Sequence, residues 1–262
     1  MKNIKKYLKV WLIMSKNSFL AVFNQRTALS VFLIGKLLRF FFFFGFIVFL
    51  LKGTKSLAGY DLNQTLLFFL TFNLIDTISQ FLFREVYRFR PLIVSGGFDL
   101  VLSKPISALF RSLMGGADVI DLIIIVPLTI ATFYVAGLLN PSILQTTFYI
   151  LLVLNGLIIA AAFHIFVLGL GIISLEIDHT IMIYRDLFNL GRFPIDIYKE
   201  PLRGFITFLI PIGIMVSFPA KVIMGMMSPL GVIWSLAFGG LLLFLSFKFW
   251  NFALKKYTSA SS

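Results

Sequence analysis

Long apolar blocks separated by short polar stretches organise this chain. Apolar runs cover about residues 28–51, 62–82, 113–136, 144–174, 204–220 and 229–252. Each approaches or exceeds the ~20 apolar residues that cross a bilayer as one helix. The blocks are solid rather than alternating, which excludes a membrane β-barrel with its period of two. Lys52-Gly53 closes the first block, Asp61 opens the second, and Arg84-Glu85 closes it. Asp118 and Asp121 lie at the start of the third, and Asn140-Pro141 makes a tight turn into the fourth. Ahead of the first block the pattern changes. Ile4, Tyr7, Leu8, Trp11, Leu12, Phe19, Val22 and Phe23 fall near one helical face, and Lys2, Lys5, Lys9 and Lys16 mostly on the other. That periodicity predicts a helix lying along the membrane surface, within residues 1–26. The plainer alternative is a basic flank that only orients the next helix. The fold class predicted is an all-α polytopic membrane protein: six transmembrane helices behind an N-terminal amphipathic interfacial helix, forming one transmembrane domain over 1–262.

Composition agrees with the pattern. The chain has 262 residues, of which 59% are hydrophobic and 13% charged, with 32 phenylalanines; soluble domains carry about a quarter charged residues. Lys16 interrupts the short apolar core of the N-terminus, and no small-residue cleavage site follows, so that segment reads as retained. The absence of cysteine excludes disulfides, thiolate metal sites and cysteine nucleophiles.

A net charge of +12 would fit nucleic acid in a soluble protein. Here the basic residues concentrate before residue 27, in the 83–112 and 175–203 loops, and at the C-terminal end, leaving Lys52, Lys55 and Lys221 on the opposite side. That asymmetry predicts a multi-pass protein of the cell (plasma) membrane with both termini cytoplasmic. It explains the charge without nucleic acid; membrane lipids are the surroundings.

Recognisable catalytic chemistry is absent from the sequence. There is no G-x-x-x-x-G-K-[ST] phosphate loop, no H-E-x-x-H and no G-x-S-x-G. His164 lies alone in the fourth block, where a histidine is either functional or hydrogen-bonded within the bundle. Glu176, Asp178 and His179 include three metal-ligand types, but on a helix they spread around the axis instead of converging. No cofactor, metal or catalytic residue is expected, and the chain reads as a non-enzyme. More telling are Lys36 and Arg39 in the first block, Asp76 in the second and Asp121 in the third. Charges at that depth are costly and should pair, and an ion pair of Asp76 with Lys36 or Arg39 is expected. Asn73, Asp76, Thr77 and Gln80 share a face of the second block, either gluing helices together or lining a path.

The polar insert GGFDLVLSKPIS at 96–107 stands between two apolar blocks. Gly96-Gly97 lets the chain reverse, Asp99 suits the start of a short helix at 99–103, and Lys104-Pro105 ends it. On residues alone it is equally a rigid docking helix or an amphipathic loop on the membrane.

Two stretches carry a family resemblance: GGFDLVLSKPISALF at 96–110, and RFPIDIY at 192–198 followed by LRGFITFLIPIGIMVSFPAKVIMG at 202–225. They resemble the ABC-2 type exporter permeases, more closely the subgroup described as ABC-2 family transporter proteins. The resemblance implies a dimer with a second permease copy or homologue, and cytoplasmic ATP-binding-cassette ATPase subunits that hydrolyse ATP for it. It implies ATPase coupling through the 83–112 loop, with Arg84, Arg88, Arg90, Gly96, Gly97, Asp99, Lys104 and Pro105 as candidates. It also implies a re-entrant element between the fifth and sixth spans, at Ser217–Lys221 through Met227–Pro229. The implied function is export of an amphipathic or hydrophobic substrate such as a drug, lipid or glycolipid. The alternatives are an integral membrane enzyme and a non-transporting membrane assembly subunit.

Overall fold

The computed structural model describes residues 2–174 and 177–258. Helix α1 (Lys2–Phe23) ends in a two-residue break before α2 (Arg26–Thr54). Lys55 then adopts a left-handed conformation at φ 64°, which stops α2 and turns the chain. A capping box starts α3 (Leu62–Phe83): the Asp61 side chain accepts from the Gln64 backbone, and the Gln64 side chain accepts from the Asp61 N–H. Three short helices follow a 3₁₀ turn at Arg84–Arg88: α4 (Phe89–Val94), α5 (Gly97–Leu102) and α6 (Ala108–Leu113). Asp118 caps α7 (Val119–Leu138), its carboxylate accepting from the Ile120 N–H at 2.8 Å. After a tight turn comes α8 (Ile143–Ser174).

Helix α3 forms the middle of the bundle, with Leu67, Phe68 and Ile75 fully buried. Helices α8 and α12 (Pro229–Lys256) run parallel over most of their lengths. Asn155 donates to the Ser235 carbonyl at 2.8 Å at one end of that contact, and Gly169 meets Phe249 near the other. At Gly239 a Cβ would run into the Asn155 side chain, which would have to shift from its bond to Ser235. Small residues of this kind let helices approach closely where lipid removes the hydrophobic drive for association.

The fifth crossing departs from the sequence reading. From residue 177 the expected loop is instead helical: α9 (Ile177–Phe188) turns back against α8, with Tyr184 packed on Phe163 at 5.4 Å and Phe188 on Phe72 of α3 at 5.1 Å. A 3₁₀ turn at Asn189–Arg192 carries the chain onward. It emerges at the opposite end of the bundle, where Tyr60, between α2 and α3, donates to Asp196 at 2.9 Å.

The apolar 204–220 block, expected to be a span, instead doubles back. Helix α10 (Leu202–Gly204) extends as a π-helical turn to Leu209. A second π turn at Gly213–Ser217 leads into α11 (Phe218–Ile223), and the two arms bend by 77° about Ile210-Pro211-Ile212. The bend packs on Gly191, deep in the bundle, yet Lys221 returns to Asp196 at 2.8 Å. Both arms therefore open at the same end. The re-entrant element is this hairpin, which includes only the first part of the 217–229 stretch expected for it. Pro211 breaks the ladder at the bend, and the freed backbone is buried in protein.

Candidate functional site

The end of the bundle that carries the chain termini is the more elaborate. Gly96 sits at φ 74°, a conformation that glycine adopts without strain, and swings the chain from α4 into α5. Helix α5 begins at Gly97, so Asp99 lies in its first turn, where its negative charge meets the positive end of the helix dipole, instead of capping it. Phe98 is fully buried, edge-on to Phe89 at 5.3 Å and Tyr257 at 5.1 Å, and 6.4 Å from Trp250 of α12. One aromatic thus keys α5 to both α4 and the end of α12. On the outer side Val94, Leu100 and Leu102 are exposed.

Helix α1 clasps the same element. Lys6 donates to the Pro105 carbonyl at 2.8 Å, the Ser107 N–H donates to the Tyr7 hydroxyl at 3.1 Å, and Tyr7 stands edge-on to Phe110 at 4.8 Å. Further along, the Ala117 N–H donates to Ser15 at 3.2 Å. The sequence-predicted arginines form partly exposed ion pairs: Arg84 with Asp118 at 3.5 Å, Arg88 with Glu85 at 3.8 Å and Arg90 with Asp178 of α9 at 3.4 Å. Arg111 joins Glu85 at 2.6 Å. Three of these pairs stiffen residues 84–118 internally and Arg90 ties them to α9, while Lys104 and Pro105 remain exposed beside the apolar tip.

Lys36 pairs with Asp121 of α7 and not with Asp76. The reason is position: Asp121 is fully buried one turn into α7, facing α2, whereas Asp76 turns to Gln80 in its own helix. Lys36, Arg39 and Arg185 still surround Asp76 closely enough to act on it. All four groups line a cavity of about 90 Å³ between α2, α3, α7 and α9. Asn73, Thr77 and Gln80 face it too, so the polar stripe of α3 lines a cavity. Arg192 closes the inner wall, stacked over Phe43 at 4.5 Å and Phe72 at 5.5 Å. A second cavity of about 430 Å³ adjoins toward the termini, sharing Lys36, Arg39, Gln80 and Arg185.

Arg185 and Arg192 were read from sequence as loop charges, so their place in this cavity was missed. The spacing of Ile177, Ile181, Tyr184 and Phe188, at helical period, was the available sign of a packed helix.

His164 is absorbed by packing. Its Nδ1 lies 2.8 Å from the Ala160 carbonyl, and its ring meets Phe83 and Tyr184, each at 5.2 Å. Glu176 lies outside the described residues; among the described residues no three acidic or histidine side chains gather to hold a metal.

At the far end, burial disfavours the charged Asp196. Hydrogen bonds from Lys221 and Tyr60 outweigh it and hold the carboxyl below the usual range. The same contact, with burial, pushes the Tyr60 hydroxyl up. This triad latches the α2–α3 connection to the mouth of the hairpin.

The chain matches the family model of the ABC-2 family transporter proteins over residues 36–261. No curated protein and no solved structure matches it. The family match spans both the element at 84–118 and the re-entrant hairpin, and it implies association with an ATP-binding-cassette ATPase. On that match, joined to a bundle of apolar membrane-spanning helices, the chain belongs to the ABC-2 family transporter proteins, as a membrane subunit of an ATP-binding-cassette transport system.

Proposed function

We propose that the chain is the permease half of an exporter that moves an amphipathic or hydrophobic substrate outward, driven by ATP hydrolysed on a partner subunit. It works as a dimer in the plasma membrane with both termini cytoplasmic. The observation that carries this reading is the construction of residues 84–118. Their apolar tip at Val94, Leu100 and Leu102 is exposed, while Phe98, α1 and the Arg90–Asp178 pair tie the element to the bundle. A partner that grips such a tip moves the spans behind it.

Basic residues around the tip end, at Lys5, Lys6, Lys104, Lys255 and Lys256, favour the cytoplasmic face for it. Arg185 and Arg192 drop out of that comparison because they lie inside the bundle. The test is co-purification with the cognate ATPase, comparing its ATP hydrolysis with and without this chain. Association with chain-dependent hydrolysis is expected. Leu100→Asp and Asp99→Arg should insert normally and lose that dependence. An ATPase that neither binds nor responds to the chain overturns the reading.

A further inference from the structure

The intramembrane cavity holds more positive charge than the chain neutralises. Lys36, Arg39, Arg185 and Arg192 surround it, against Asp76 on its wall and Asp121 bonded to Lys36. Arg39 has no hydrogen bond and no ion pair within 4 Å among the described residues. It stands exposed at the mouth, beside Leu38, Phe41 and Phe42, where the surroundings are apolar. A charged group at that position is costly unless an opposite charge joins it.

The inner wall combines Arg192 with Phe40, Phe43 and Phe69. The polar floor of α3 runs from Gln80 to Asn73, so the cavity reaches about 15 Å from the termini end of that helix. Guanidinium groups match phosphate and carboxylate oxygens with paired donors, and their weak hydration suits a partly desolvated site.

We propose that this cavity binds the anionic headgroup of an amphiphile, with Arg39 and Arg192 as the groups that hold it and the apolar mouth beside α2 accepting its chains. The inference rests on the transporter reading above and names the substrate class for it. Lys36 is the neutralised member, held by Asp121; Arg39 is the one left for a ligand. The headgroup enters from the bilayer side, past Leu38 and Phe42, so the chains never leave an apolar environment.

The test uses the complex with its ATPase in maltoside micelles, without nucleotide. Binding of dioctanoyl phosphatidic acid, dioctanoyl phosphatidylcholine and inorganic phosphate is followed by native mass spectrometry, which also reports subunit composition. Phosphatidic acid should bind about tenfold or more tightly than phosphatidylcholine, and R39Q/R192Q should lose about that factor while R39K, which keeps the charge but not the paired donors, loses less. Equal binding of the two lipids overturns the proposal, as does full binding by R39Q/R192Q. Inorganic phosphate binding as well as phosphatidic acid would mark a free-anion site and overturn the amphiphile. A variant that changes only the number of permease copies would assign Arg39 to a subunit contact, with the same consequence. Loss of the ATPase with lipid binding intact would instead sink the transporter reading, and with it the substrate role, while the anionic-headgroup site itself stood.

Discussion

Helices α2 and α3 are adjacent in sequence and similar in composition, yet they live differently. The most apolar stretch of α2 is 6% buried in the bundle, and the corresponding stretch of α3, continued to Val94, is 67% buried. Hydropathy identifies both as spans but says nothing of which surrounds which. The difference lies in what interrupts the apolar background. Helix α3 carries a polar stripe on one face and large aromatics on the others, as a central helix must. The outer helix α2 turns a face of Val31, Phe42 and Phe49 outward and sends only Lys36, Arg39, Phe40 and Phe43 toward the cavity. The central helix supplies the floor of the site, and the peripheral one supplies two of its cations, Lys36 and Arg39.

The comparison breaks most sharply by truncating one aromatic in each helix. Phe68→Ala in α3 should cost about 3–5 kcal/mol of stability, while Phe42→Ala in α2 should stay within about 0.5 kcal/mol, measured by thermal unfolding in micelles. Equal losses would mean that α2 is packed against something as closely as α3.

Next in size is the bond that joins the outer helix to the bundle. Asp121→Asn should cost about 2–3 kcal/mol, less than a fully buried pair, because Lys36 keeps 32% of its side chain exposed. The double variant Lys36→Met/Asp121→Met should recover most of that loss, since it leaves no charge behind. Smaller still, Gly96→Val forces a branched residue into a left-handed turn and should cost about 1–2 kcal/mol. Its readout is weakened ATPase stimulation with α1 to α3 undisturbed.

The smallest effect is in acid. Asp196 has a folded carboxyl held below its ordinary value, so its contribution is complete above the unfolded value near ~4 and is lost as pH falls through the folded one. Stability should therefore be insensitive to this latch between about pH 5 and 8, and Lys221→Met should remove its acid limb of a stability-against-pH curve.

Much of the fold was legible in the sequence because apolar blocks and capping residues mark their own limits. Asp61 with Gln64, Asp118, and Ser228 with Pro229 each begin a helix where the pattern changes. The fifth crossing was not legible. Helix α9 carries Asp178, Arg185 and Asp186, which read as a solvated loop, but one face of it packs on α8 and α3 through Tyr184 and Phe188. The apolar block after it reads as a span for the opposite reason: nothing in its hydropathy reveals the 77° bend, and only Pro211 hints at one. The site followed the same division. The charges of α2 and α3 stood out against apolar neighbours. Those of α9, and their meeting with Asp76, needed the chain to be folded back first.

The bond between Arg90 and Asp178 has a thermodynamic consequence. It ties residues 84–118, the element proposed to dock the ATPase, to the first turn of α9, and the same helix carries Arg185 into the basic cavity. On the proposed reading, a shift of the tip that displaces α9 would alter the spacing of Arg185 and Asp76, and hence the affinity of the cavity for an anionic headgroup. Linkage makes that exchange symmetric: whatever factor the docked ATPase applies to the cavity, an occupied cavity applies to ATPase docking. A loaded permease is then chemically distinguishable from an empty one at the surface its partner touches.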